Sequence, residues 1–338
     1  MANKVTLKQI AREVGLSPAS VSLVLNNRPC RISEENRRRI KEVAAREHYI
    51  PNQIARSLVT QQSKTLGLIV PNIESRFFSS LAKNLEQRCR AAGYALFITN
   101  SDGLPENDID LLNLLVTRGV DGMFLVVGDE VPDNQALYDE LVNLPVPYVM
   151  VDRVVDELSC DKVLFDHELG GYMATRYLLQ MGHRRIACMV NAAKTITGRK
   201  RLSGYLRALR ESGFEPDMSL VFETEYYISS AYEAAAGVLQ SDATAVFASS
   251  DNIALGLLKR VHESGRRVPR DYSLVSYDNS AADALFEPTL TSIEQNVGEL
   301  SHHAVGLMTR RLDNPSSDPI ERVLKPHLVI KESVAPLR

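Results

Sequence analysis

From Thr65 onward, short apolar segments alternate with longer amphipathic ones, and this alternation restricts the possible folds more than any other feature of the chain. Continuous apolar strands separated by helices are typical of parallel sheets covered by helices on both faces. The predicted strands are 66–70, 94–98, 122–127, 147–152, 185–190, 245–249, 273–276 and 323–331. The predicted helices are 77–92, 106–118, one between the strands 122–127 and 147–152, 167–181, 198–212, 229–240 and 252–264. The pattern predicts an α/β body of two Rossmann-like lobes that bind ligands at the carboxyl ends of their strands.

The motifs of nucleotide-binding and hydrolytic enzymes are missing from this body. No G-x-G-x-x-G follows the first strand, and no G-x-x-x-x-G-K-[ST] loop is present. No G-x-S-x-G elbow or Cys/His set indicates covalent catalysis. The four cysteines are far apart and the seven histidines lack metal-ligand spacing, so we expect free thiols, no metal and no cofactor. We expect His302 and His303 at a surface or interface.

Residues 6–25 have the spacing of two short helices joined by a tight turn. Thr6 and Gln9 fit a capping box, and Gly15 fits a turn that requires positive φ. Ser17 fits the N-cap of the second helix. This spacing is typical of a helix-turn-helix, which places its second helix in the DNA major groove. The alternative is an ordinary αα-hairpin.

The charge of residues 1–60 supports a DNA-binding function. This segment has eleven Lys or Arg and five Glu, a net charge of +6, which leaves −9 on the rest of a chain with a total of −3. A basic module attached to an acidic body is typical of phosphate binding, although a basic helical surface by itself is usually only solvated.

Two segments follow the helix-turn-helix. A third helix is predicted from an N-cap at Ser33 to about Glu47. Residues 51–59 have helical spacing over only about two turns, too few for a stable isolated helix. We therefore expect 51–59 to fold only against a partner copy or DNA.

Length and hydropathy narrow the class of protein. A chain of 338 residues fits a small headpiece and two medium-sized domains. No apolar run reaches the roughly eighteen residues of a membrane span, and no signal-peptide core is found at the N-terminus. We expect a cytoplasmic, nucleoid-associated protein without membrane contacts.

Polar residues follow several predicted strands, where a ligand would bind. Asp152 and Asp278 end apolar strands and are expected to face the cleft, with Arg201 near the start of a helix. For Asp251 the alternative is a helix N-cap.

Motifs along nearly the whole chain resemble the LacI/GalR (lactose-repressor) family of bacterial transcriptional regulators. They are Val5-Thr6-Leu7 through Asn26, Tyr49-Ile50-Pro51-Asn52 through Leu58, Leu66-Gly67-Leu68-Ile69-Val70-Pro71, Val120-Asp121-Gly122, Gly182-His183-Arg184-Arg185-Ile186, Arg201-Leu202-Ser203-Gly204-Tyr205 and Ser276-Tyr277-Asp278-Asn279. The resemblance implies a repressor, not an enzyme, whose affinity for a roughly palindromic double-stranded operator is controlled by a small-molecule effector. In this family, an added leucine heptad at the carboxyl end forms tetramers. No such heptad follows the predicted strand 323–331, so a homodimer is expected.

The resemblance also implies a domain organisation. The headpiece is 1–50, and the hinge helix with its linker is 51–64. The body is similar to periplasmic sugar-binding proteins (type I), with three crossings between its lobes near 163, 291 and 322. The expected amino-side lobe is 65–163 plus 292–322, and the expected carboxyl-side lobe is 164–291 plus 323–338.

Three headpiece residues match family positions that contact base edges: Pro18, Ala19 and Leu23. Leu23 departs from the common arginine and favours thymine methyl contact or simple packing. Leu58 matches a leucine that wedges between the central base pairs from the minor groove; the alternative is a contact between two hinges. The other DNA-binding candidates are Thr6, Ser17, Ser20, Ser22, Asn26, Asn52, Ala55 and Arg56.

The effector candidates also come from the resemblance. Phe77 and Phe78 match an aromatic pair that lines the cleft, although both could equally be core residues. The matching polar contacts are Asp152, Arg201 and Asp278, and the weaker candidates are Thr197, Tyr226, Ser250 and Asp251. Acids, one arginine and aromatic rings fit a neutral polyhydroxyl ligand, so a sugar or sugar derivative is expected, while a purine stays open.

Two other functions compete with this interpretation. One is a sugar-binding protein whose headpiece binds something other than DNA, against which the +6 charge and the missing signal peptide count. The other is a two-lobed enzyme of sugar or nucleotide metabolism, against which the missing phosphate loop and catalytic set count.

Overall fold

The computed structural model describes residues 5–26, 29–49, 62–127, 134–280 and 287–337. The chain divides into two compact units, residues 1–63 and 64–338, which we call the headpiece unit and the body. None of the described helices combines the length and the apolarity that crossing a bilayer requires.

The headpiece unit contains three helices: α1 (Leu7–Val14), α2 (Pro18–Leu25) and α3 (Glu34–Arg46). The predicted capping box is present, because Gln9 N donates to Thr6 Oγ1 at 3.4 Å and Thr6 N donates to Gln9 Oε1 at 2.7 Å. Gly15 ends α1 with a φ of 73°, and Ser17 caps α2. Side chains from all three helices form one buried cluster: Ile10, Ala11, Val14, Val21, Val24, Ile40, Val43 and Ala44.

The body alternates strands and helices as predicted, and apart from the segment 323–331 the predicted bounds differ from the observed ones by at most two residues, while β5, β7 and β10 were not predicted. Its strands are β1 (Thr65–Val70), β2 (Ala95–Asn100), β3 (Gly122–Leu125), β4 (Tyr148–Val151), β5 (Asp161–Phe165), β6 (Ile186–Val190), β7 (Val221–Glu223), β8 (Ala245–Ala248), β9 (Ser273–Asp278), β10 (Thr291–Glu294), β11 (Glu321–Leu324) and β12 (His327–Val329). Its helices are α4 (Arg76–Ala91), α5 (Pro105–Thr117), α6 (Gln135–Val142), α7 (His167–Gln180), α8 (Ile196–Glu211), α9 (Ile228–Gln240), α10 (Asp251–Glu263) and α11 (Val297–Asp313).

The strands form two six-stranded sheets, one in each lobe. The first has the order β11-β5-β4-β3-β1-β2 and the second β12-β10-β9-β8-β6-β7. Every pairing in the first sheet is parallel, with Leu68 of β1 between Ile98 of β2 and Phe124 of β3. In the second sheet β12 runs antiparallel to β10, which corrects the expectation of purely parallel sheets.

The expected crossing points near 163, 291 and 322 each fall within a strand. Strand β5 belongs to the first sheet up to Phe165, and β10 belongs to the second sheet up to Glu294. The predicted single strand 323–331 is wrong, because β11 pairs in the first sheet and β12 in the second. The chain therefore passes between the lobes after Phe165, after Glu294 and after Leu324, since each strand completes its pairing first.

Helices cover both faces of each sheet, and a buried apolar cluster lies on each face. In the first lobe, residues of α4 and α11 pack on one face, and residues of α5 and α6 pack on the other. In the second lobe, α9 and α10 cover one face, while α7 and α8 cover the other. Strand β2 departs from this arrangement, because Phe97 and Ile98 on it are 47% and 44% exposed.

Candidate effector cleft and DNA-binding helix

One cavity of the body lies where the carboxyl ends of strands from both sheets meet. Its volume is about 290 Å³. All nine residues proposed from the sequence as effector contacts line it: Phe77, Phe78, Asp152, Thr197, Arg201, Tyr226, Ser250, Asp251 and Asp278. The predicted position of the site at the strand ends therefore agrees with the cavity.

Two carboxylates stand at strand ends on opposite sides of this cleft. Asp152 directly follows β4 of the first lobe with a φ of 65°, and Asp278 ends β9 of the second lobe with a φ of 91°. Non-glycine residues seldom adopt positive φ, and such strain is concentrated at functional sites. The backbone therefore places one acid of each lobe at the cleft.

Arg201 of α8 is the central cation of the cleft and is only 5% exposed. Its Nη1 donates to the carbonyl oxygen of Ser249 at 2.5 Å, and its guanidinium lies 3.8 Å from the centre of the Tyr277 ring. Burial opposes its charge, but nearby tyrosines and the acids Asp278 and Asp152 outweigh burial and hold its pKa above the usual value. Its buried Nε has no hydrogen-bond partner among the described residues, so it is available to a ligand.

Asp278 is held between Arg201 and Gln295. Gln295 Nε2 donates to Asp278 Oδ1 at 2.9 Å, and Arg201 Nη2 lies 3.9 Å from the same oxygen. Burial raises the pKa of Asp278 to about 7, with Arg201 opposing the shift and Asp251 and Asp152 adding to it. The Gln295 Oε1 atom is buried without a hydrogen-bond partner in the described part of the chain.

Asp251 has a structural function in this arrangement. The N-cap alternative for it is wrong, because Ser250 caps α10 through its side chain. Asp251 Oδ1 instead accepts from Ser276 Oγ at 2.5 Å, and Oδ2 accepts from Ser280 N at 2.7 Å. These bonds fix the segment that follows β9, and therefore the position of Asp278.

The aromatic pair belongs both to the core and to the cleft. Phe77 and Phe78 lie in the first turn of α4, are buried, and meet edge to face with ring centres 5.3 Å apart. Both pack in the first-lobe core and also line the cavity. The two interpretations of these residues are therefore compatible.

Several cleft residues escaped the sequence analysis. Asn191 and Gln295 each directly follow a strand, the same signal that identified Asp152. His167, which contacts Arg201 beneath the cleft, comes two residues after β5 and could have been found by the same rule. Lys194 and Glu225 form an ion pair at the cavity wall and have no comparable signal.

The DNA-binding candidates divide by exposure. Thr6, Ser17, Pro18 and Ala19 are exposed, Ser20, Ser22, Leu23 and Asn26 are half-buried, and Asn52, Ala55, Arg56 and Leu58 lie outside the described residues. Ser17 also accepts from Ser20 N at 3.1 Å, and Asn26 Nδ2 donates to the Ser22 carbonyl at 2.8 Å. These polar groups hold the ends of α2, while Pro18, Ala19 and Leu23 provide accessible apolar surface on the same helix.

Comparison with known proteins assigns the headpiece unit and the body each to a known protein family. Residues 6–52 match the model of bacterial regulatory proteins of the lacI family, and residues 175–334 match a periplasmic binding protein-like domain. The chain is 30% identical to the HTH-type transcriptional repressor PurR of Vibrio atlanticus over 98% of this chain and 99% of that protein. It is 32% identical to the ribose operon repressor of Haemophilus influenzae over 98% of this chain and 99% of that protein.

A solved structure agrees with the fold of the body. A LacI-family regulator from Enterococcus faecium with bound ribose superposes with a TM-score of 0.74 at 30% identity, covering 81% of this chain and all of that one. These relatives are transcriptional regulators and not enzymes, which excludes the enzymatic alternative. The chain therefore belongs to the LacI family of DNA-binding transcriptional repressors, with a helix-turn-helix headpiece and a two-lobed effector-binding domain.

Proposed function

We propose that this protein is a homodimeric repressor whose affinity for a roughly palindromic operator is controlled by a sugar or sugar derivative bound between the two lobes. The observation that carries the proposal is the meeting of Asp152, Arg201 and Asp278 in one cavity of about 290 Å³. A cavity of this size suits a ligand of monosaccharide size more than a large one.

The chemistry of the cleft supports a neutral polyhydroxyl ligand. Carboxylates accept from adjacent hydroxyl groups, and the buried Nε of Arg201 can donate to a ring or hydroxyl oxygen. Gln295 Oε1 is a further buried acceptor. The Phe77 and Phe78 rings can cover the C–H face of a sugar. The ribose named for two of the relatives is the first compound to test.

The homodimer is supported by the edge of the first sheet. β2 is an edge strand that pairs only with β1 in the described sheet, and it exposes Phe97 and Ile98. Exposed apolar side chains along an unpaired edge favour association, and a second copy supplies a surface of the same kind. Two headpieces would then reach two half-sites of a palindrome.

For operator recognition, we assign base contacts to Pro18, Ala19 and Leu23 of α2. Their apolar surfaces can meet thymine methyl groups, whereas none of them can donate to guanine. Leu58 would open the central base step from the minor groove. An operator rich in A·T pairs at the positions facing α2 is therefore expected.

The test is a thermal-shift screen of D-ribose, other aldoses, sugar phosphates and hypoxanthine, followed by calorimetry of the compound that binds. A ligand present at 100 times its Kd adds about 2.7 kcal/mol to the free energy of unfolding. Arg201→Ala and Asp278→Ala should each weaken effector binding by at least tenfold, because a charged hydrogen bond contributes about 1.5–3 kcal/mol.

Arg185→Ala and Asp242→Ala are the matched controls, since they remove an exposed ion pair of 2.8 Å in the same lobe. Surface pairs contribute little, so effector affinity and operator affinity should stay within a few-fold of wild type. Undiminished effector binding by both cleft variants would contradict the assignment of the site.

A further inference from the structure

His167 occupies the first connection between the lobes. It begins α7 directly after Asp166, whose side chain caps that helix, and β5 of the first sheet has ended at Phe165. The histidine is only 2% exposed. It therefore lies in the interior, at the point where the chain passes from one lobe to the other.

The two ring nitrogens of His167 face different lobes. Nε2 lies 3.5 Å from the carbonyl oxygen of Asp152 and 3.8 Å from its carboxylate Oδ1, both at the end of β4 in the first lobe. Nδ1 lies 3.4 Å from Arg201 Nη2, on α8 of the second lobe. The imidazole thus bridges one effector candidate of each lobe.

The partners fix the protonation state of the ring. A guanidinium can only donate hydrogen bonds, so Nδ1 must be the acceptor and the proton of a neutral ring must reside on Nε2, facing Asp152. Burial, followed by the charge of Arg201, lowers the pKa of His167 well below its usual value. The ring is therefore neutral near pH 7.

The bridge continues to the second connection between the lobes. Arg201 Nη2 lies 3.9 Å from Asp278 Oδ1, and that oxygen accepts from Gln295 Nε2 at 2.9 Å. Gln295 follows β10 at the point where the chain returns towards the first lobe. A chain of polar contacts therefore runs beneath the cleft from one crossing to the other.

We propose that His167 is a positioning residue that couples the two lobes, holding Arg201 of the second lobe against Asp152 of the first. This inference rests on the proposed function only in that Asp152 and Arg201, the two partners of His167, are effector candidates. A ligand that hydrogen-bonds Arg201 or Asp152 competes with His167 for that residue. Occupation of the cleft therefore changes the interaction that joins the lobes. Such a shared, two-sided contact can transmit binding to lobe orientation.

A second buried histidine provides the matched control. His183 is 3% exposed and also uses both nitrogens: Nδ1 lies 2.9 Å from Thr244 Oγ1, and Nε2 lies 3.1 Å from the Ala335 carbonyl. All of these partners belong to the second lobe. Replacing His183 removes a buried bonded imidazole without touching the connection between the lobes.

The experiment compares the wild-type full chain with His167→Leu, His167→Gln and His183→Gln by hydrogen exchange, without any effector. His167→Leu should accelerate exchange at least fivefold in first-lobe peptides covering 148–156 and in the crossing peptide 294–298. His167→Gln keeps a donor and should show a smaller acceleration. His183→Gln should accelerate exchange only in second-lobe peptides.

Histidine ¹⁵N spectra of the wild type, assigned with His167→Gln, should show a neutral His167 with its proton on Nε2 at pH 6. Acceleration confined to the second lobe in His167→Leu, or a His167 that carries its proton on Nδ1, would overturn the proposal. Neither measurement uses an effector, so a failed sugar screen would contradict the proposed function alone.

Discussion

Asp278 and His167 both face Nη2 of the Arg201 guanidinium, and their pKa values move in opposite directions. Burial raises the pKa of Asp278 to about 7 despite Arg201, because Asp251 and Asp152 also repel its negative charge. Burial and Arg201 together lower the pKa of His167. Near neutral pH, His167 therefore stays neutral, while Asp278 is present in both its protonated and its ionised form.

Effector binding should therefore depend on pH through Asp278. A carboxylate accepts from two hydroxyl groups, whereas its protonated form loses part of that capacity. Since the ionised fraction of a group with a pKa of about 7 rises about tenfold between pH 6 and 8, affinity for the effector should rise by up to the same factor.

Calorimetry at pH 6 and 8 measures this dependence, with Asp278→Asn as the control that cannot ionise. The Asn variant should bind more weakly at pH 8 and show an almost flat profile. An equally steep profile in that variant would assign the dependence to a group other than Asp278.

For single residues, the sequence could predict which side chains lie at the cleft better than it could predict their hydrogen-bond partners. The rule that ligands meet strand ends, together with the resemblance, identified nine residues that share one cavity. It could not predict that Asp251 bonds Ser276 and Ser280, because those contacts join α10 to the segment after β9. The bridge through His167 depends in the same way on helix packing that no local pattern specifies.

At the scale of elements, the packing of α7 on α8 positions Arg201 and His167. The two helices approach backbone to backbone: a Cβ added to Gly171 would lie 2.1 Å from the Arg201 carbonyl oxygen, and one added to Gly204 would lie 2.0 Å from the Glu168 carbonyl oxygen. Only glycine permits this distance. The two helices can therefore pack this closely because Gly171 and Gly204 carry no side chains.

Gly171→Ala should separate the helices and move Arg201. We expect a free energy of unfolding lowered by about 1–3 kcal/mol, as for other overpacked interiors, together with weaker effector binding. The control is Gly306→Ala in α11, where an added Cβ meets no atom within 4 Å. That variant should be neutral or stabilised by up to about 1 kcal/mol, because alanine favours helix. Denaturant unfolding measures both, and equal effects would refute the close-contact argument.

The strand assignments show where periodicity is insufficient. The segment 323–331 is apolar enough to predict one strand, yet Pro326 stands between β11 and β12, which join different sheets. A proline inside a strand pattern is a recognised argument against continuity, so the signal was present. The exposure of β2 could not be predicted, because an apolar strand at an edge has the same local pattern as a buried one.

At the scale of the whole molecule, charge is divided between the two units. Residues 1–60 carry +6 while the remainder carries −9. The net positive charge that the DNA phosphates attract is therefore carried by residues 1–60. Exposed cations such as Lys8 and Arg12 on α1 belong to this positive segment.

Operator binding should accordingly weaken steeply as salt rises. If a dimer contacts roughly 6–10 phosphates, affinity should fall about 10³- to 10⁵-fold between 50 and 200 mM salt. Each phosphate contact removed from the complex reduces the slope of log affinity against log salt by about one. Lys8→Gln and Arg12→Gln should therefore flatten the response, and Lys83→Gln, an exposed cation on α4 of the body, should leave it unchanged. Fluorescence anisotropy on a verified operator measures the slopes. A flat wild-type response, or equal flattening by Lys83→Gln, would show that the headpiece charge does not drive binding.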